Sequence, residues 1–261
     1  GKTIVQMARD IYDGYGYGGK FSVADLPFYL QNLKKYATAL ARGNADILKQ
    51  FESALKIAQD NIDKMLANNY AGTPNTGLVT AYKNILDAAK KLSVDGLENA
   101  TKVAVEERAR YYADRIARTE TAAAWFDGYM AQYEDDTDVF GFKWVLSTRH
   151  PKFDQCDVAA NANVGFGKGI YPKSKVPRIP RHPHCMCALE LVYTWEVDKD
   201  AKFDPDGARG YIDGLTKEKK MELFGEDGAC LYDNGGDWQK LLRGWDGFEG
   251  PRKRVTKYDF E

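Results

Sequence analysis

Apolar residues recur at helical spacing through the first half of the chain. Ser22, with Asp25 three residues on and Pro27 after it, predicts a helix start, and Phe28, Leu30, Leu33, Ala37 and Leu40 follow as its stripe. Gly43-Asn44 interrupts that run. Ile47, Phe51, Leu55, Ala58, Ile62 and Met65 then lay a single apolar face along a helix of about five turns. Gly72-Thr-Pro-Asn-Thr-Gly77 breaks the pattern. A third helix carries Leu78, Tyr82, Ile85, Leu86 and Ala89 and ends near Ser93-Val-Asp-Gly96, and a fourth runs from about Leu97 to Met130. Faces of this kind form a protein's own core more often than a docking surface.

The period then changes from helical to two. Phe140, Phe142, Trp144 and Leu146 alternate with Gly141, Lys143, Val145 and Ser147, which predicts a half-buried strand. Leu189, Leu191, Tyr193 and Trp195 alternate with Glu190, Val192 and Thr194, which predicts a second, with Val192 on the outer face. Roughly forty residues connect the two. After Asp198 the composition turns to Asp, Gly and Lys, and the expectation is a loosely packed appendage. It is expected to hold one short helix from Leu215 to Phe224 with Gly225 as its cap, and another at Trp238, Leu241, Leu242 and Trp245.

Chemistry concentrates in the connection. Cys156 to Cys187 holds three of the chain's four cysteines and two of its three histidines, ending in His182-Pro-His184-Cys185-Met-Cys187. Thiolates and imidazoles at this density point to a structural metal knot, most often tetrahedral zinc. Cys156 comes from one limb; Cys185, Cys187 and either His182 or His184 come from the other. A disulfide or plainly buried thiols are the alternatives, since Ala159 stands where a C-x-x-C knuckle would place its second cysteine. Cys230 stands apart and reads as a free thiol.

Charge refines this picture only locally. The chain has 261 residues and a formal net charge of −1, which argues against bulk electrostatic binding to nucleic acid. Four cysteines at this length favour a reducing compartment. No run of about 20 apolar residues suggests a membrane span. The opening Gly1, in place of an initiator methionine, leads us to expect a processed chain or a segment of a longer product. Between Val158 and Leu189, however, Lys168, Lys173, Lys175, Arg178 and Arg181 face no acidic residue in sequence. That stretch is expected to lie away from the core and to meet an acidic protein surface, DNA phosphates or solvent. Glu134, Asp135, Asp136 and Asp138 read as a solvated turn and lack the spacing of a calcium loop.

Enzymatic motifs fail on inspection. Gly14, Gly16 and Gly19 match G-x-G-x-x-G without the surrounding strand and helix, and Phe21 follows Gly19-Lys20 where a P-loop needs Ser or Thr. Pro183-His-Cys185-Met-Cys187 lacks both elements of a zinc deaminase, and no histidine has an H-E-x-x-H partner. No catalytic residues are assigned, and the reading is non-enzymatic.

Four motifs in order carry a family resemblance. They are Arg115-Ile-Ala-Arg118-Thr119-Glu120, then Trp144-Val-Leu-Ser, then Asp154-Gln-Cys156, then Pro180-Arg-His182-Pro-His-Cys185-Met-Cys187. In that order they closely resemble the minor head, or head morphogenesis, proteins of tailed bacteriophages, the group that includes the phage Mu F-like proteins. The resemblance covers about residues 100 to 195. It implies an α+β fold: a helical docking region (1–96), a small zinc-stapled module with a short antiparallel sheet (97–197) and a C-terminal appendage (198–261). It favours His182, at the family's His-Pro-x-Cys-x-Cys spacing, as the ligand that joins Cys156, Cys185 and Cys187. It also implies portal and major capsid proteins as partners, a place in the virion head near the portal vertex, and no membrane. Arg118 and Glu120 are expected to tie the long helix to the knot as partly buried ion pairs or hydrogen bonds. A DNA-binding zinc module and a toxin- or enzyme-associated domain of the same kind are the alternatives.

Overall fold

A computed structural model describes residues 1–14, 23–67, 76–148, 150 and 152–242. The glycine and tyrosine run after Gly14, the helix start at Ser22, the break at Gly72, Trp245 and the basic Arg252-Lys-Arg254 fall outside the described residues. The fold is α+β, mostly helical with one small antiparallel sheet. The chain divides into two compact units, Gly1–Ala117 and Arg118–Glu261.

The first unit contains α1 (Ile4–Gly14), α2 (Phe28–Ala41), α3 (Leu48–Ala67), α4 (Thr76–Lys90) and the first part of α5 (Val94–Gln132). The sequence stripes of α3 and α4 become its core, with Phe51, Ala58 and Ile62 facing Leu78, Tyr82, Ile85 and Leu86. Leu30, Leu33 and Ala37 join them from α2, and Leu97, Ala104 and Val105 from α5. Phe28 does not, being 75% exposed. Two residues before Leu30 on a helix is a turn of about 200°, which places Phe28 opposite the stripe. The helical run of α5 begins before Leu97 because Ser93 caps it: the Ser93 hydroxyl accepts the Gly96 N–H at 3.1 Å. Inside this unit the Arg108 guanidinium donates to the buried Tyr82 hydroxyl at 3.2 Å and lies over the Tyr112 ring.

The second unit is built on β1 (Val139–Val145), the centre of a three-stranded antiparallel sheet ordered β2–β1–β3, with β2 at Ile170–Pro172 and β3 at Ala188–Tyr193. Phe142 and Trp144 are buried as their alternation predicts. The end of α5 covers them: Phe126 and Tyr129 pack in the same cluster, with the Tyr129 ring 5.5 Å from that of Phe142. The strand β2 was not foreseen. Where it crosses β1, Gly141 has no room for a Cβ, which would collide with the Tyr171 backbone carbonyl.

The outer strand departs from its expected alternation. Val192, expected outward, is buried, and Trp195, expected inward, is 67% exposed in a 3₁₀ turn with its ring stacked on Tyr193. Leu189 and Leu191 keep the expected face, in one cluster with Phe142 and Trp144; Val192 is buried outside that cluster, and β3 ends at Tyr193, so strand alternation no longer governs Trp195. The chain then forms α6 (Gln155–Asn161) between β1 and β2, and α7 (Gly207–Asp213), α8 (Lys217–Asp233) and α9 (Trp238–Leu241) after β3. Ile212, Leu223, Phe224, Tyr232 and Leu241 gather with Val158 of α6 into a further apolar cluster. Gly225, the expected cap, interrupts α8 with φ 81°.

The burial pattern sets a direct contrast in stability. Ile85→Ala is expected to cost about 2–5 kcal/mol by denaturant unfolding, whereas Phe28→Ala should change stability by less than about 0.5 kcal/mol.

Candidate metal centre

Two short segments bring the sulfurs together. Asp154 caps α6: its side chain accepts the Cys156 N–H at 2.7 Å, and the Asp157 carboxylate accepts the Asp154 N–H at 2.8 Å. This reciprocal cap fixes the first turn of α6 and with it Cys156, which is fully buried. On the other limb, Cys185, Met186 and Cys187 are buried, exposed and buried in turn. Extended backbone puts alternate side chains on one face, so both sulfurs point inward, in step with Leu189 of β3. A turn at Pro183-His184 delivers them: Cys185 N–H donates to His182 O at 3.1 Å, and His184 takes φ 62°. The Gln155 amide donates to the Arg181 carbonyl and clips the two limbs together.

The result is a buried cluster of Cys156, Cys185 and Cys187 with sulfurs within 4.8 Å of one another. All three are free thiols, with Cys156 Sγ 3.7 Å from Cys185 Sγ. Three convergent sulfurs form a donor set that could hold a metal ion, and one that suits a thiophilic one.

His182 borders this cluster but groups with different residues. Its Nδ1 lies 2.9 Å from Pro183 O, which assigns the proton to Nδ1 and leaves the Nε2 lone pair directed inward. Nε2 is buried, lies 3.2 Å from Asp154 Oδ2, and meets no hydrogen-bond geometry. A ring N–H held by a backbone carbonyl with the second nitrogen bare is how metal-bound histidines are oriented. His150, Asp154 and His182 have donor atoms within 4.8 Å of one another, and His150 Nε2 is 2.8 Å from Asp157 Oδ2. His184 belongs to neither group. His150 and Asp157 were missed in the sequence. The usable signal was Asp154-x-x-Asp157 as a capping box that spans Cys156.

The electrostatics follow from this crowding. Burial alone would lower the His182 imidazole, but contact with the Cys185 sulfur and with Asp154 outweighs it and raises the group to about 9. Hydrogen bonds from Cys156 and Cys187, with His182 beside them, drive the Cys185 thiol well below its ordinary value. Cys156, as donor to Cys185, is pushed up. Both shifts run in the direction that favours negative charge on the Cys185 sulfur and positive charge on the His182 ring.

Other expected features are placed differently. Arg118 and Glu120 are exposed on α5 and Thr119 between them is buried, which corrects the expectation of partly buried charged side chains. At 100° per residue only one of three consecutive positions can face inward. The basic stretch does not lie away from the core either, because Tyr171 and Ile179 are buried within it. Lys173 Nζ donates to the carbonyls of Glu134 and Asp136, capping the acidic turn, and Arg178 pairs with Asp127 at 2.7 Å. In comparisons with known proteins, no family model, no curated protein and no solved structure matches the chain.

Thiol accessibility checks the cluster. In the native chain an aromatic disulfide reagent should modify the exposed Cys230 rapidly and Cys156, Cys185 and Cys187 only on unfolding. Four thiols reacting at one fast rate would contradict the buried cluster.

Proposed function

We propose that the chain is a structural, non-enzymatic minor head protein of a tailed bacteriophage, acting in capsid assembly near the portal vertex, with zinc as its structural metal. The observation that carries this reading is the coincidence of motif order and geometry. The Arg-Thr-Glu motif lies on the helix whose end packs on the sheet, the motif tryptophan is buried on the central strand, and the Asp-Cys and Cys-x-Cys motifs meet as one thiol cluster. Zinc is favoured because three sulfurs, with the imidazole nitrogen that borders them, would make up a tetrahedral set for a metal without redox demands. Cys156, Cys185, Cys187 and His182 would hold it, and its chemistry would be the joining of two chain segments. A closed set of this kind leaves no position for an activated water.

Docking on portal and capsid proteins is preferred to DNA binding because Lys173 and Arg178 are already engaged within the protein. The helical first unit would supply the docking surface.

Two measurements test the reading. Elemental analysis should give about one zinc per chain, and Cys185→Ser should abolish it and loosen the sheet module while helical content is largely kept. Co-sedimentation with portal oligomers should survive high salt, whereas tight, salt-sensitive binding to DNA without portal association would move the assignment to a nucleic-acid module.

A further inference from the structure

A partly enclosed cavity of about 180 Å³ lies on the side of α6 that faces α7 and α9. Val158, Tyr171, Phe203 and Trp238 give it apolar and aromatic walls, and Lys175 and Arg181 supply charge. No aspartate or glutamate lines it. Arg181 Nε is buried without a hydrogen-bond partner, and Arg181 makes no ion pair among the described residues. Its backbone is nonetheless fixed, since Gln155 binds the Arg181 carbonyl. Lys175 Nζ lies 5.7 Å from the centre of the Phe203 ring.

A buried guanidinium nitrogen with nothing to donate to is costly, and an anion in the cavity would offset that cost. The planar fork of arginine favours a carboxylate or phosphate. The volume and walls narrow the choice: drug-sized ligands need about 300 Å³ or more, so this space suits one charged group on a small apolar body. We propose that this cavity binds a small organic carboxylate, its charge on Arg181 and Lys175 and its apolar body against Tyr171, Phe203 and Trp238. The carboxylate could belong to a free aromatic acid or to the carboxy-terminal residue of a peptide. The proposal is independent of the head-protein reading.

Calorimetric titration of the full chain tests it with benzoate and N-acetylphenylalanine, using benzamide and N-acetylphenylalaninamide as neutral counterparts. At least one acid should bind at millimolar concentration, with its amide about tenfold weaker or worse. Binding of benzoate alone identifies the free acid as the source, and binding of N-acetylphenylalanine identifies the chain end. Arg181→Gln should weaken the acid about tenfold, and Lys175→Gln, at an exposed position where folding is not at stake, should weaken it severalfold. Failure of both acids to bind, equal binding of acid and amide, or unchanged affinity in both variants would overturn the proposal.

Discussion

Three sulfurs and one bare imidazole nitrogen are confined to the same buried corner beneath Trp144, and the second unit is arranged around that constraint. Buried thiols alone would cost little, since cysteine packs as a small hydrophobe. A buried imidazole nitrogen that faces a carboxylate and a sulfur without a hydrogen bond is different, because it has lost water and gained no partner. Either a proton or a metal cation resolves the conflict. A proton would place positive charge on the ring beside the Cys185 sulfur, and a cation could be held by the three sulfurs with His182 at their border. The capping box of α6, the clip from Gln155 and the turn at His184 hold these donors in place with protein contacts alone.

That preorganisation changes what a metal has to do. From the two strands alone, the connection between β1 and β3 looks like a loop that only a ligand could order. In the structure it carries its own local devices. Asn163 Oδ1 accepts the N–H groups of Gly165 and Gly167, Gly169 N–H donates to Ala162 O, and Tyr171 Oη donates to the Ala159 carbonyl. Long connections inside compact domains ordinarily contain structure of this kind. A metal would therefore add a single cross-link, between Cys156 and the Cys185-Cys187 strand lead, where only side chains now meet.

The parts of this fold that were legible in sequence are those governed by one clean period. The stripes of α3 and α4 reappear as core because long amphipathic helices leave little choice of face. Phe142 and Trp144 followed from alternation for the same reason. Alternation failed at Trp195 because the strand ends at Tyr193 and turns into a 3₁₀ helix, and at Val192 because the outer face of β3 is covered there, which period two cannot report. β2 was illegible because three residues containing a proline carry no periodic signal. The thiol cluster could be read from density alone. His150 and Asp157 beside it were missed, because a capping box reports a helix start and not which histidine its second carboxylate meets.

The basic stretch shows how geometry decides between partners that composition leaves open. Five cations in sequence suggest a phosphate-binding loop, yet counterion release counts only those free to meet phosphate. Lys173 caps the acidic turn and Arg178 pairs with Asp127. Arg181 lines an interior cavity and Lys175 stands at the same cavity over Phe203. Lys168 remains as an exposed cation outside these arrangements. One or two phosphate contacts would give a salt slope of only about −1 to −2, too shallow for tight nucleic-acid binding. Two of the five cations thus hold the second unit together and two more stand at its cavity, which is why docking on protein is the reading we prefer for this chain.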